Sequence, residues 1–166
     1  MKTKYIIIFI ALLLICQNYS PWAVIYAQDV DVIEEETLIL GIDLEVVRGA
    51  SNTYGFDLVF DTTYFNYIGF DDAITSIAEV KTDSPGRLIV VMSATSDDVK
   101  IVQDTTLIEL MFYVKQIDAL EIETSFVFEN LFIGLSGREI ISNAENGACK
   151  IEMAHQAIIR IRKVVP

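Results

Sequence analysis

Hydrophobic and polar residues alternate with a period of two along much of this chain. Segment 54–61, Tyr-Gly-Phe-Asp-Leu-Val-Phe-Asp, has an apolar side chain at alternate positions, as expected for a strand with one buried face. Two longer segments, 86–94 and 104–115, carry apolar residues on both faces. A strand of this kind needs a packing partner on each side. The function of the protein therefore depends on what packs against the second apolar face of these strands.

Further strand-like segments lie along the chain, separated by residues that favour turns. They lie at 37–47, 76–81, 124–129, 137–141 and 148–153. Segments 48–53 and 142–147 are rich in the Gly, Ser and Asn residues that form turns, and 64–69 is expected to form one short helical turn. About nine short strands at this spacing predict an all-β fold, a single β-sandwich.

The N-terminal 27 residues have the order of a secretory signal peptide. A basic start precedes an unbroken apolar run at 5–15, and Ala27 offers a small residue for cleavage. The apolar run is too short to span a membrane. We therefore predict a leader at 1–27 and a secreted, extracellular protein. An uncleaved anchor and lipidation at Cys16 are the alternatives.

Three further parts follow the predicted leader. We expect an acidic lead-in at 28–36, the sandwich at 37–153 and a C-terminal tail at 154–166. The tail places Arg and Lys among Ile and Val. Its composition is consistent with two interpretations, a final strand or a basic extension.

Removal of the leader changes both the charge and the aromatic content. The whole chain has 12 basic and 24 acidic residues, and the leader takes away two basic residues and no acid. A strongly acidic protein disfavours nucleic acid and anionic membranes, and it favours cationic or calcium-carrying partners. Trp22, the only Trp, would leave with the leader. Cys149 would remain without a disulfide partner, and we expect it to be a buried small hydrophobe.

Residues suited to catalysis or metal binding are scarce. The single His is His155 in the tail, and a Ser-His-Asp arrangement would require it to fold back onto the sandwich. A structural zinc site requires four ligands of the His or Cys type, so a zinc site is not expected. The acidic pairs at 71–72 and 97–98 lack the spacing of an EF-hand loop, and adjacent acids on a strand point to opposite sides. We therefore predict that the protein is not an enzyme and has no catalytic site, metal site or cofactor.

The order of the strand segments resembles a cohesin domain, the β-sandwich module of cellulosome scaffold proteins that binds dockerin modules on polysaccharide-degrading enzymes. The resemblance covers 37–153. The segment 55–65 looks like the apolar strand of the family that ends in Phe-Asp, and Phe112-Tyr-Val-Lys115 looks like its Phe-x-Val-Lys run. The segment 146–151 is similar to its closing strand. The resemblance implies a jelly-roll-like sandwich, a non-catalytic role in scaffold assembly, and a dockerin-like protein partner.

The outward side chains of three strands supply the candidate binding surface. Alternation points one set of residues into the core and the other set outward. If the three strands share one sheet, as the resemblance implies, the outward set forms an apolar centre with a charged rim, which is typical of a protein-binding surface. The predicted site residues are Asp57, Val59, Ile89, Val91, Glu109, Met111 and Tyr113, with Lys115 at the rim.

Other interpretations of this surface remain open. The tail or another part of the chain is an alternative cover for the face. A carbohydrate-binding module on a related sandwich is a second class of function, but such modules stack sugars on exposed aromatic rings. Tyr113 is the one aromatic residue predicted on the outer face. A structural or adhesive cell-surface spacer is the third class.

Overall fold

The computed structural model describes residues 22–74, 77–93, 101–136, 138–140 and 142–154. Within these ranges the chain is all-β, so the predicted fold class is confirmed, although twelve strands replace the expected nine or so. The strands are β1 Ala23–Ala27, β2 Val30–Ile33, β3 Thr37–Val46, β4 Thr53–Val59, β5 Phe65–Ala73, β6 Ile77–Ser84, β7 Arg87–Ser93, β8 Thr105–Val114, β9 Glu121–Leu135, β10 Arg138–Glu139, β11 Ser142–Glu145 and β12 Gly147–Glu152.

The strands form two sheets that pack face to face as a sandwich. One sheet has the order β11-β1-β3-β8-β5, and the other has the order β2-β12-β9-β4-β7-β6, with β10 paired to β9. Neighbouring strands are antiparallel except at two places, where β1 pairs parallel with β11 and β12 pairs parallel with β2. Among the described residues, no helix is long and apolar enough to cross a membrane.

The core lies between the sheets and follows the predicted alternation. Tyr54, Phe56 and Leu58 of β4 are fully buried, as are the inward residues of β7 and β8. Phe112 and Phe126 connect the sheets with ring centroids 5.2 Å apart. Aromatic contacts of this kind stabilise the sandwich beyond the area that they bury.

Strand β5 occupies the segment that was expected to form a helical turn, which is therefore a wrong prediction. A turn does occur just before it, where the backbone N–H groups of Tyr64 and Phe65 donate to the carbonyl of Asp61 at 3.2 and 3.0 Å. The strand itself pairs with β8 but has register shifts near Gly69 and before Ala73. These irregularities break the period of two and hide the strand from pattern analysis.

The sandwich begins N-terminal to the boundary that the sequence suggested. Strand β1 pairs antiparallel with β3 over Ala23 to Ala27, and Ile25 is fully buried. The backbone carbonyl of Trp22 accepts hydrogen bonds from Val47 and Arg48. A leader that ended at Ala27 would remove this interior strand, whereas a leader that ended before Trp22 would leave it in place. Residues 1–21 lie outside the described part of the chain.

The predicted acidic lead-in at 28–36 is also part of the sandwich. It contains β2, and the Glu34 side chain after β2 is only 7% exposed. The Glu34 carboxylate accepts hydrogen bonds from the backbone N–H groups of Ile117 at 2.7 Å and Ala154 at 3.2 Å. Glu34 thereby fastens the turn after β2 to the β8–β9 connection and to the end of β12.

Candidate functional site

The predicted site residues lie on two opposite faces of the sandwich, because β8 belongs to a different sheet from β4 and β7. β4 pairs with β7 and β9, whereas β8 pairs with β3 and β5. The assumption that the three strands share one sheet is therefore wrong. Asp57, Val59, Ile89 and Val91 share one outer face, which we call the β4/β7 face. Glu109, Met111 and Tyr113 share the other, which we call the β3/β8 face.

The β4/β7 face is formed by the outward residues of β9, β4, β7 and β6. One row across it aligns Phe132, Gly55, Val91 and Glu79. Val91 is 46% exposed, and Gly55 beside it contributes no side chain. A Cβ atom added at Gly134 would lie 2.9 Å from the Phe132 ring, so the ring lies along the surface. The centre of this face is consequently flat and apolar.

A hydrogen-bonded cluster of charged and amide groups stands next to the apolar row. Oδ2 of Asp57 accepts hydrogen bonds from Nε and Nη2 of Arg87 at 3.2 and 2.5 Å, and from Nδ2 of Asn130 at 2.7 Å. Nη1 of Arg87 lies 2.9 Å from Oε2 of Glu129. The guanidinium therefore connects strands β7, β4 and β9 and is held in one orientation. Charge-assisted bonds of this type are stronger than neutral ones.

Asp57 is predominantly buried, with 8% of its surface exposed. Burial by itself would raise the pKa of Asp57, but hydrogen bonds from Asn130 and Arg87, together with the charge of Arg87, outweigh burial and lower the pKa. The Arg87 pKa is raised, chiefly by the hydrogen bond to Asp57. Both groups are therefore ionised near neutral pH, and the surface presents fixed charges beside its apolar centre.

The rim of the β4/β7 face carries more exposed charges. Ile89 is partly exposed and lies in register with Lys81 on β6, and Lys81 forms an exposed ion pair with Glu79 at 2.7 Å. On the other side Val59 aligns with Val127 of β9. An apolar centre with a charged rim is the arrangement expected of a protein-binding surface.

Sequence analysis did not identify Phe132 or Asn130 as members of this face. β9 changes register against β4 between Gly55 and Asp57, and Asn130 has a positive φ of 50°. This bulge reverses the alternation, so that Phe126 points into the core while Phe132 lies outside. A non-glycine residue with positive φ gives little signal in a single sequence, although Asn is among the residues that adopt it.

The β3/β8 face is also partly apolar. Met111 aligns with Ile39 on one side and Gly69 on the other, and Tyr113 aligns with Thr37. Ile39 is 50% exposed and Tyr113 is 39% exposed. Glu109 is partly exposed next to Gly41. The structure therefore brings the second group of predicted site residues together, but on the opposite side of the molecule.

The described residues show no arrangement suited to catalysis by a metal. No group of three or more His, Cys, Asp or Glu within the described ranges could hold a metal ion. Cys149 is buried, as expected, and burial, with a smaller effect of Asp31, raises the pKa of its thiol to about 11. His155 and the pair at 97–98 lie outside the described residues.

Comparison with solved structures identifies the fold as that of cohesins. A cohesin in complex with a dockerin, Coh-OlpC–Doc435 from Clostridium thermocellum, has a TM-score of 0.73 at 11% identity, and the match covers 81% of this chain and 96% of that one. The sixth cohesin of scaffoldin B from Acetivibrio cellulolyticus, solved with the Cel5 dockerin, gives 0.70 at 20% identity, covering 78% and 99%.

A third match widens the range of proteins that share the fold. It is a non-cellulosomal cohesin from the archaeon Archaeoglobus fulgidus, with a TM-score of 0.65 at 10% identity, covering 78% of this chain and 90% of that one. No family model matches the sequence, and no curated protein matches it. The three structural matches show that the chain has the fold of a cohesin-like β-sandwich.

Proposed function

We propose that this protein is a secreted, non-catalytic binding module that holds a dockerin-type protein on its β4/β7 face. Two observations support the proposal. Several proteins with the same fold are solved as cohesin–dockerin complexes, and the β4/β7 face has a flat apolar centre bordered by fixed charges. The exposed Val91 side chain at the middle of this face is the observation that carries the proposal.

The energetics of the face suit a protein partner. Burying a Val side chain contributes about 1.5 kcal/mol, and the neighbouring Phe132 and Ile89 extend the apolar area. Arg87 is already oriented by Asp57 and Glu129, so little entropy is lost when a partner contacts it. Pre-oriented charges around an apolar centre favour one docking orientation over others.

The overall charge bears on the partner's chemistry. With 24 acidic and 12 basic residues in the whole chain, the protein attracts cationic surfaces, including a partner module that carries calcium ions. Secretion and a role in polysaccharide catabolism belong to the same proposal. They rest on the leader-like N-terminal sequence and on the cohesin resemblance.

The test compares two single substitutions on opposite faces. Val91→Asp places a charge at the centre of the β4/β7 face, and Met111→Lys places a charge on the opposite, β3/β8 face as the control. Binding to immobilised dockerin modules is measured by surface plasmon resonance or calorimetry, with circular dichroism to confirm folding. We expect Val91→Asp to weaken binding about 30-fold or more, as for a central contact residue, and Met111→Lys to leave it unchanged.

Two outcomes would contradict the proposal. Loss of binding in Met111→Lys alone would assign the β3/β8 face instead. Retention of the protein on insoluble cellulose, without binding to any dockerin module, would favour the carbohydrate-binding alternative.

A further inference from the structure

The β3/β8 face is the outer side of the sheet β11-β1-β3-β8-β5, and this sheet differs in charge from the other one. Its five strands contain no Lys or Arg and six acidic residues, which are Asp43, Glu45, Asp71, Asp72, Glu109 and Glu145. The other sheet includes four basic residues, Lys81, Arg87, Arg138 and Lys150. The ion pairs between described residues belong to that other sheet. The acidic charge of the first sheet is therefore not balanced within its own strands.

Carboxylates on the β3/β8 face gather around Tyr26, near the end of β3. Tyr26 aligns with Asp43 on one side and with Glu145 on the other. Burial raises the pKa of the Tyr26 phenol, and the negative charges of four carboxylates raise it further: Asp43, Asp104, Glu45 and Glu145. The Asp43 oxygens accept hydrogen bonds from Nε2 of Gln28 at 2.8 Å and Oγ1 of Thr106 at 2.7 Å, but both donors are uncharged. We call these four carboxylates the acidic end of the face.

Two basic residues lie just beyond the strands of this face. Arg48 follows β3, past the acidic end, and its guanidinium carbon lies over the Trp22 ring, 5.3 Å from the ring centroid. Lys115 follows β8 at the opposite end, where its Nζ donates to the Thr62 carbonyl at 2.6 Å. The single positive charge of Arg48 next to four carboxylates leaves the acidic end negative.

The other end of the same face is apolar. Ile39 and Met111 lie side by side on β3 and β8, and Tyr113 is the next outward residue of β8. Beside Met111, β5 contributes Gly69, which adds no side chain to the surface. The outward residues of β3 therefore pass from Ile39 at the apolar end to Glu45 at the acidic end, a distance of about 20 Å at about 3.3 Å per residue.

The backbone pairing of β3 and β8 limits the form that a partner can take. β8 pairs with β3 and β5, and β3 pairs with β8 and β1. Their N–H and C=O groups are engaged within the sheet, so a partner that lies on this face meets side chains. Such a partner must satisfy its own backbone hydrogen bonds, as an α-helix does. A helix of about 13 residues has the required length of about 20 Å.

We propose that the β3/β8 face binds an amphipathic helix of another protein that is rich in Lys and Arg. The apolar side of the helix packs on Ile39, Met111 and Tyr113, and its basic residues lie against Glu109 and the acidic end. Charge complementarity favours this partner over a second copy of the chain, because a copy brings the same excess of 24 acidic over 12 basic residues. The inference stands on this face alone and does not depend on the proposed dockerin site.

A designed helical peptide of Leu and Lys is the probe that tests this proposal. Its binding to the full protein is measured by calorimetry in low salt, and methyl NMR signals locate it. A peptide with Glu in place of every Lys is the control. We expect the Lys peptide to shift the methyl signals of Ile39 and Met111 but not that of Val91, and the Glu peptide not to bind. Absence of binding by the Lys peptide, or shifts at Val91 instead, would overturn the proposal.

A pair of double substitutions separates the acidic end from the overall charge. Glu45→Gln with Glu145→Gln removes two exposed carboxylates from the acidic end. The matched control, Glu123→Gln with Glu139→Gln, removes two exposed carboxylates from the other sheet. We expect the affinity for the Lys peptide to fall about fivefold or more in the first variant and less than about twofold in the control. Equal decreases would show attraction by net charge alone and contradict the proposal.

A second matched pair tests the apolar end. Ile39 and Val91 are 50% and 46% exposed on opposite faces, so Ile39→Ser and Val91→Ser make similar changes, and circular dichroism confirms folding. We expect Ile39→Ser to weaken binding of the Lys peptide about fivefold and Val91→Ser to leave it unchanged; the reverse would place the helix on the β4/β7 face. Sedimentation of the protein alone tests a second copy as the occupant. A dimer that dissociates in Ile39→Ser would assign the face to self-association and overturn the proposal.

Discussion

Arg87 donates two hydrogen bonds to a single oxygen of Asp57, from Nε at 3.2 Å and from Nη2 at 2.5 Å. The two residues lie on neighbouring strands, and the remaining guanidinium nitrogen of Arg87, Nη1, lies 2.9 Å from Oε2 of Glu129 on β9. One side chain therefore connects three strands on the outer face. Because Asp57 is nearly buried, its charge depends on this contact.

Arg87→Met should lower the urea midpoint of unfolding, because it leaves the Asp57 carboxylate with the Asn130 amide as its remaining side-chain donor. The control is Lys81→Met, which breaks an exposed ion pair with Glu79 on the same face. Exposed pairs contribute little, so the control should keep the midpoint of the unsubstituted protein. Equal decreases of the urea midpoint in the two variants would show that Arg87 does not stabilise the protein through its contact with Asp57.

The lowered pKa of Asp57 predicts an acid-dependent loss of stability. The folded state binds fewer protons at this group than the unfolded state, whose pKa is about 4. The contribution of Asp57 is therefore full above about pH 4 and is lost as the pH falls through the lower, folded value. We expect the difference in unfolding free energy between the protein and Asp57→Asn to shrink from about pH 6 to about pH 3. A constant difference would contradict this.

The raised pKa of Tyr54 predicts that stability is lost as the pH rises into the alkaline range. Burial raises its pKa to about 12, although a hydrogen bond with Ser51 opposes the shift. The unfolded chain loses this proton near pH 10 while the folded chain keeps it, so stability declines between about pH 10 and about pH 12 by up to about 3 kcal/mol. Tyr54→Phe should flatten this decline. Tyr113→Phe, at an exposed ring, serves as the control and should retain it.

A substitution at Ile25 tests where the predicted leader would end. The Ile25 side chain is fully buried in β1, and Ile25→Ala should lower the free energy of unfolding by about 3 kcal/mol if β1 is part of the folded protein. Ile39→Ala, at a half-exposed position, should change stability by less than about 0.5 kcal/mol. Mass spectrometry of the product should find an N-terminus before Ala23. A product that starts at Gln28, with stability indifferent to Ile25→Ala, would support the boundary after Ala27.

The sequence by itself determined which residues of the main strands point into the core. Phe56, Val90 and Phe112 were assigned inward from alternation, and each is at most 1% exposed. This assignment succeeds because successive side chains on a strand must point to opposite sides, a property of the local backbone. The all-β class follows from the same local pattern together with the spacing of turn residues.

The sequence did not distinguish strands that lie outside this simple pattern. β1 carries the small and apolar residues that also mark a signal peptide, so composition assigned it to the leader. Phe132 was not assigned to the outer face because a bulge at Asn130 reverses the alternation of β9. Both features depend on pairing with distant strands.

Only the tertiary structure decided which outward residues share a surface. Val91 and Met111 have the same local pattern, but β7 pairs with β4 while β8 pairs with β3, and this places them on opposite faces. Alternation specifies the direction of a side chain relative to its own strand. Alternation does not specify which sheet the strand joins, because sheet membership is determined by hydrogen bonds and core contacts between segments far apart in the chain.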